Sequence, residues 1–253
     1  MNFSWNPNIY ENHSQGQFDN ALKALAGYNI SKKIKVLDIG CGDGKITASI
    51  AKQLESSQVL GIDLSQNMIN HALEIHATEN LNFKVQSASN ISYKNEFDLI
   101  VSFSALHWVH DQKNVVTNIG HALKKGGEAR LVCYPQHPDL WQAVEEVSFS
   151  NTWQEYFTGY KNPHQNAYVE DYRDGAIQGG MEIAQLHCDL DEFCFETQQE
   201  TEMFLYSWLP HTEKLPKELH NKYIEEITKL VAKKYGKKKV LPFYKLFLKS
   251  FKK

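Results

Sequence analysis

The sequence predicts an α/β protein built on a doubly wound, mostly parallel sheet of seven strands, with an inserted and mainly helical cap. Three observations predict it. The apolar run Ile34 to Ile39 breaks into Gly40-Cys41-Gly42-Asp43-Gly44, and a helical pattern (Ile46, Ile50, Ala51, Leu54) begins at once. Strand, tight glycine turn and helix form the first unit of such a sheet, whose ligands sit at the carboxyl ends of the strands. A second run, Val59-Leu60-Gly61-Ile62, ends on Asp63, about 20 residues past the turn, the spacing of an acid that binds a ribose diol. Strand-like runs then alternate with helical patterns as far as residue 134, where the alternation stops.

In chain order, Phe18, Leu22, Leu25 and Ala26 recur at helical spacing before Gly27. Ser65 caps a helix carrying Met68, Ile69, Ala72 and Leu73. Phe83 to Val85 is a short third strand, and residues 96–103 a fourth, apolar enough to be buried on both faces. Asp111 to Leu123 is a helix. Lys124-Lys125-Gly126-Gly127 turns into a fifth strand from Glu128 to Tyr134. Helices are expected around residues 140–150 and 167–178, the latter stopped by Gly179-Gly180. A sixth strand spans Met181 to Asp189, followed by a shorter Phe193 to Phe195. Thr197-Gln198-Gln199-Glu200 has the capping-box pattern for a helix to Trp208. Leu219, Tyr223, Ile224, Ile227, Leu230, Val231 and Tyr235 stripe a long helix between Pro216 and Gly236, and Leu241 to Phe251 closes the sheet.

Composition narrows the class. A chain of 253 residues with 42% hydrophobic content fits one large α/β domain with a substantial core. The formal net charge of −3 argues against a dedicated nucleic-acid binder. Residues 229–253 hold ten Lys and no Asp or Glu. That reads as a solvated helix end and a lysine-guarded edge strand, with an acidic carrier protein as the alternative partner. Cys41, Cys133, Cys188 and Cys194 show no metal spacing. No signal peptide or membrane-spanning run is visible, so a cytoplasmic location is expected.

The residue that narrows the ligand is Asp38, just before the turn. A carboxylate beside a phosphate-binding helix terminus would force two anions together, whereas a cationic ligand gains from it. S-adenosylmethionine carries an ammonium and a sulfonium and no phosphate. The blocks Val36-Leu37-Asp38-Ile39-Gly40-Cys41-Gly42-Asp43-Gly44 and Gly61-Ile62-Asp63-Leu64-Ser65 resemble the cofactor site of Rossmann-like class I S-adenosylmethionine-dependent methyltransferases. Ala105-Leu106-His107-Trp108-Val109, with Trp5-Asn6-Pro7, Tyr10 and Gln17 upstream, resembles the trans-aconitate and juvenile hormone acid methyltransferase group. The resemblance implies a cofactor site from Asp38, Gly40, Cys41, Gly42, Gly44, Asp63, Leu64, Met68, Ser87, Ala88, Phe103 and Ser104. Many relatives carry Asp where this chain has Ser87, against the adenine amino group. Ser87 can still accept a hydrogen bond.

The family methylates carboxylates, which are ionised at neutral pH and need no general base. Catalysis then reduces to alignment and exclusion of water. Of the two arginines, Arg130 reads as structural and Arg173 as a carboxylate clamp or a surface residue paired with Asp171 or Asp174. Trp5, Tyr10, His13 and Gln17 are candidate acceptor contacts on an N-terminal lid, with groove filling as the other reading of Trp5 and Tyr10. His107 has three readings: general base for a hydroxyl, orienter of a carboxylate, or a satisfied histidine at a helix start. Trp108 packs against the sulfonium or in the core. His107 and His110 make no metal pair, and no metal is expected.

The expected organisation is a lid helix (1–30), a cofactor-binding core (31–135), an acceptor cap (136–180) and the rest of the sheet with its helices (181–253). The expected reaction is carboxyl O-methylation of a small molecule. The alternatives are methylation of a hydroxyl, an amine or a carrier-bound malonyl-type acyl group, and cofactor binding without chemistry.

Overall fold

Along Lys35–Ile39 (β1) and Phe97–Phe103 (β4), successive side chains point to opposite faces, and both faces are buried. Leu37, Ile39 and Ile100 enter one apolar cluster, and Val36, Leu99, Val101 and Phe103 enter another. Each fully buried aliphatic side chain contributes about 1.5–3 kcal/mol relative to exposure. This two-sided burial explains why the strands read as continuous apolar runs.

The computed structural model describes residues 15–28, 34–54 and 57–253. The other strands are Gln58–Asp63 (β2), Leu81–Val85 (β3), Leu123–Cys133 (β5), Met181–Cys194 (β6) and Val240–Lys252 (β7). They form one sheet in the order β3-β2-β1-β4-β5-β7-β6. Neighbours are parallel from β3 through β5, whereas β7 runs antiparallel to both β5 and β6. The strand order reverses between β1 and β4, the switch point at which a doubly wound sheet opens a crevice for ligands.

Helices Gln15–Leu25 (α1), Lys45–Gln53 (α2) and Gln66–His76 (α3) contribute to the cluster on one face. Gln112–Ala122 (α4) and Val169–Gln178 (α6) cover the other. A third cluster joins Pro138–Ser148 (α5), Gln198–Trp208 (α7) and His220–Tyr235 (α8). The segment 136–180 is thus shared between two layers, with α5 in the third cluster and α6 packed on the sheet.

Local signals account for the element ends. Ser65 accepts from the Met68 amide at 3.4 Å and Asp111 from the Asn114 amide at 3.1 Å. Thr197 and Glu200 form the full capping box, and Gly236 ends α8 in the left-handed region. Arg130 is structural: its Nη1 donates to the carbonyls of Ala24 and Ala26 at 2.8 and 2.9 Å, and its Nε to Glu128 at 2.6 Å. It ties the end of α1 to β5.

Two boundaries differ from expectation. β5 begins at Leu123, and the Lys124–Gly127 turn becomes an irregularity within the strand, where pairing with β4 shifts register. β6 is one strand of 14 residues rather than two pieces. Its acidic stretch pairs residue for residue with β7, Asp191 opposite Phe243 and Glu192 opposite Pro242. Lys245 and Lys237 hold these two carboxylates.

Helices α4 and α6 meet glycine to glycine. A Cβ on Gly120 would lie 2.5 Å from the carbonyl oxygen of Gly179. Gly120→Val therefore forces two rigid backbones apart, and a loss of roughly 1–3 kcal/mol is expected. Urea unfolding checks this, and an unchanged midpoint would contradict the close packing.

Candidate functional site

The crevice between β1 and β4 is lined first by the glycine turn. Gly40, Gly42 and Gly44 have φ of 74°, 55° and 83°, a region that disfavours any side chain. The amides of Gly40 and Cys41 both donate to the Ile62 carbonyl, at 2.7 and 3.0 Å, which docks the turn on the end of β2. There Asp63 accepts from the Gly42 amide at 3.1 Å and the Ser65 amide at 2.8 Å, so its carboxylate is fixed at the strand tip.

Asp38 is buried, and Thr47 donates to it at 2.6 Å. Burial pushes its carboxyl up to about 7, opposed by the Thr47 hydrogen bond and reinforced by Asp63. Burial also raises Asp63, against the hydrogen bonds of its backbone donors and with a contribution from Asp43. Burial first, and then Asp38, holds the Cys41 thiol well above its ordinary range, so Cys41 is a small, inert filler of the turn. Three carboxylates in one desolvated crevice suit a ligand that brings cationic charge and hydroxyl donors, and repel a phosphate. The donor set therefore fits S-adenosylmethionine.

Around this turn the other sequence candidates divide. Leu64 is 61% exposed at the tip of β2, an apolar surface held open, while Met68 is buried below it. Ser87 uses its hydroxyl to accept from the Ser89 amide at 3.2 Å, and Ala88 is half-buried beside it. Phe103 turns its ring into the core, and Ser104 follows with φ of 61°. That strained conformation sits where the crevice meets a second space.

The second space is a cavity of about 640 Å³, its open mouth included, between the end of the sheet and the third cluster. Ser104, His107 and Trp108 enter it from the loop after β4, and Tyr134, Pro135 and His137 from the segment after β5. Trp141, His164, Phe193, Phe204 and Trp208 supply much of the rest. None of the described lining residues is Asp, Glu, Lys or Arg. The rings of His107 and His164 stack at 4.8 Å, and Trp141 packs on His164 at 4.5 Å. The Gln165 amide donates to the His107 carbonyl at 2.7 Å, fastening the strap that carries His164 across the His107 loop.

Burial disfavours the charged form of all three lining histidines. Burial holds His107 well below its ordinary value, with help from His164, and brings His164 down to about 3. Burial also lowers His137, against a small effect of Asp139. Burial pushes the Tyr134 phenol up to about 12.

His107 and Trp108 both line the cavity. Arg173 lies exposed on α6, ion-paired with Asp174 at 3.6 Å and outside the lining. Trp5, Tyr10 and His13 lie outside the described residues. Gln17 belongs to α1, and its side chain is also outside the description. α1 itself reaches the cavity: Asn20 donates to the Tyr134 hydroxyl at 3.1 Å, and Gly16 packs against Phe193. Sequence reasoning missed His137, His164 and Phe193. His137 stands before Pro138-Asp139 at a helix start, a weak cap signal, and His164 sits in a loop with no periodicity to mark it.

Lys229, Lys234, Lys237, Lys245 and Lys249 are ion-paired within the chain. Lys239 and Lys252 donate to backbone carbonyls. No described helix is long and apolar enough to cross a membrane.

Comparison with known proteins agrees with this geometry. The 235L protein of Invertebrate iridescent virus 6 is 26% identical over 88% of this chain and 83% of its own length. Juvenile hormone acid O-methyltransferase of Bombyx mori is 25% identical over 67% of the chain and 62% of the relative. Malonyl-[acyl-carrier protein] O-methyltransferase 1 of Ilyobacter polytropus is 32% identical, over 51% of the chain and 48% of the relative. The chain thus spans about half to two thirds of the length of these two enzymes. Among solved structures, phosphoethanolamine N-methyltransferase 2 of Haemonchus contortus, in complex with S-adenosyl-L-methionine, superposes with a TM-score of 0.63 at 20% identity, over 97% of this chain and 56% of that one. The [4+2]-cyclase SpnF superposes with a TM-score of 0.61 at 16% identity, over 94% of this chain and 82% of that one. At such identities the likeness speaks to the fold. The sequence profile described as "Methyltransferase domain" matches residues 30–180, more than half of the chain, which therefore belongs to that family as an S-adenosylmethionine-dependent methyltransferase.

Proposed function

We propose that the protein methylates the carboxylate of a small organic acid to give a methyl ester. One observation carries the reading. The Tyr134 backbone N–H donates to Nδ1 of His107 at 3.3 Å, so the neutral imidazole keeps its proton on Nε2. A ring in that state offers the cavity a donor and has no lone pair there to take a proton. Tyr134, protonated at neutral pH, is no base either. A hydroxyl acceptor would lack general-base assistance worth about 10²–10⁴-fold. A carboxylate, with an ordinary pKa near ~4, is ionised already.

When bound, S-adenosylmethionine supplies a methyl carbon on a sulfonium, and the carboxylate oxygen displaces the thioether in line. The chain's own residues hold the two partners. Asp63, fixed by two amides, would accept from ribose hydroxyls, and Asp38 would receive the cationic end. Leu64, Met68 and the Ser87–Ala88 backbone would wall the base, and the glycine turn would let the ligand approach the main chain. His107 donates to the acceptor oxygen, and the aromatic walls of the cap exclude water. The internally paired lysines near the C-terminus do not favour an acidic carrier protein as the acceptor's bearer.

Two results are expected. Without ligand, Asp38 holds its proton up to about pH 7 in the folded state, whereas the unfolded chain releases it near 3.8. The native state binds the extra proton in that window, so this group's contribution to stability is largest at acid pH and declines as pH rises to about 7. Thermal melts of ligand-free protein should show this slope, and Asp38→Asn should remove it. Binding of the cationic cofactor requires the ionised carboxylate, so its affinity rises over the same window, with proton uptake by the buffer measurable by calorimetry. A cofactor affinity independent of pH would contradict the role of Asp38.

The second concerns the acceptor. At saturating cofactor, kcat should stay flat between about pH 6 and 9, because neither nucleophile nor His107 titrates there. His107→Leu removes a donor to a charged oxygen and should raise KM for the acid by about 10–100-fold, the equivalent of 1.5–3 kcal/mol. A rate that climbs through a histidine-like pKa and loses that limb in the variant would replace the carboxylate with a hydroxyl acceptor.

A further inference from the structure

The six residues after β5 treat the cavity's three histidines alike. The Tyr134 amide donates to Nδ1 of His107 at 3.3 Å, and the Asp139 amide donates to Nδ1 of His137 at 3.3 Å. The Gln136 side-chain amide meets Nδ1 of His164 at 3.5 Å. With Nδ1 accepting from a main-chain amide, the neutral rings of His107 and His137 carry their proton on Nε2. His164 is consumed structurally, stacked between His107 and Trp141 and held by Gln136. His137 is not. Its ring lines the cavity, steadied by Tyr235 at 5.6 Å and Tyr244 at 5.0 Å. Among the described residues no group accepts from its Nε2. Its Nε2–H is left open, where a molecule bound in the cavity can accept from it, and the pocket's other walls are mostly aromatic or aliphatic.

We infer that His137 is a specificity-determining residue, and that the acceptor is a carboxylic acid carrying a second, uncharged hydrogen-bond acceptor, such as a carbonyl or ether oxygen, which the Nε2–H of His137 binds. The inference rests on the carboxylate reading above: His107 takes the reacting carboxylate and His137 the distal oxygen. A second carboxylate is disfavoured, because the described lining has no cation to receive it. Two neutral donors select a monoacid with one polar mark along an otherwise apolar body.

The test uses matched probes on the whole protein with S-adenosylhomocysteine bound. Dissociation constants are measured by tryptophan fluorescence, since Trp108, Trp141 and Trp208 line the cavity. The probes are 5-oxohexanoate, 7-oxooctanoate and 9-oxodecanoate, each paired with the alkanoate in which a methyl-bearing carbon replaces the ketone. For at least one pair the oxo acid should bind about tenfold tighter, the worth of one hydrogen bond. His137→Ser retains an acceptor for the Asp139 amide, so α5 stays capped. It should bring that ratio to about one. His107→Leu should weaken both members of the pair and leave the ratio intact. A merely structural His137 would change both affinities together and not their ratio. A wild-type ratio near one for every pair would overturn the inference without any variant, as would a ratio that survives His137→Ser. The matching oxo and branched primary alcohols are run alongside. If they bind and are methylated while the acids are not, the carboxylate reading fails, and their ratio still decides the role of His137.

Discussion

Gly40 touches the loop after β4 so closely that a Cβ there would sit 2.1 Å from that of Ala105. The crevice and the cavity both depend on this contact. It places the turn that carries Asp38 against the loop that carries His107, and Ser102 reinforces it by donating to the Ile39 carbonyl at 2.8 Å. Two loops from strands 60 residues apart in sequence thereby act as one rigid floor. On one side of it the carboxylates of Asp38 and Asp63 create a demand for positive charge. On the other, histidine donors and aromatic rings line a cavity without a charged carboxylate, lysine or arginine among its described walls.

That division of labour explains why the site needs so little chemistry of its own. The crevice contributes charge, the cavity contributes donors and apolar walls, and Ser104, held in a strained conformation, lines the seam between them. The third apolar cluster supports the outer wall, with α5, α7 and α8 packing on one another and on Leu241 of β7.

The sequence was most legible where pattern and chemistry coincide in a few neighbouring residues. β1, the glycine turn and Asp63 combine an apolar run, positive-φ glycines and an acid at a set spacing, and α7 and α8 carry their stop and start signals within a turn or two. β6 was not legible beyond Asp189, because Asp191 and Glu192 interrupt its apolar pattern and their lysine partners lie over 40 residues away in the chain. The cavity was half legible. His107 stood out by its place after a buried strand, but His137 and His164 owe their roles to tertiary packing that no local period records. Arg173 drew attention by chemical type, and its pairing with Asp174 on the surface matches the second of its two sequence readings.

The donors that set the ring protons after β5 have one more consequence. For His107 and His137 they are main-chain amides, present whatever side chain occupies positions 134 and 139 (proline excepted). Substitution of those side chains can reshape the walls, shift the size of body admitted or redirect its angle of entry. It cannot turn either imidazole from donor to acceptor. The walls can thus change freely while both rings go on presenting a donor, because the polarity of the pocket is written in its backbone.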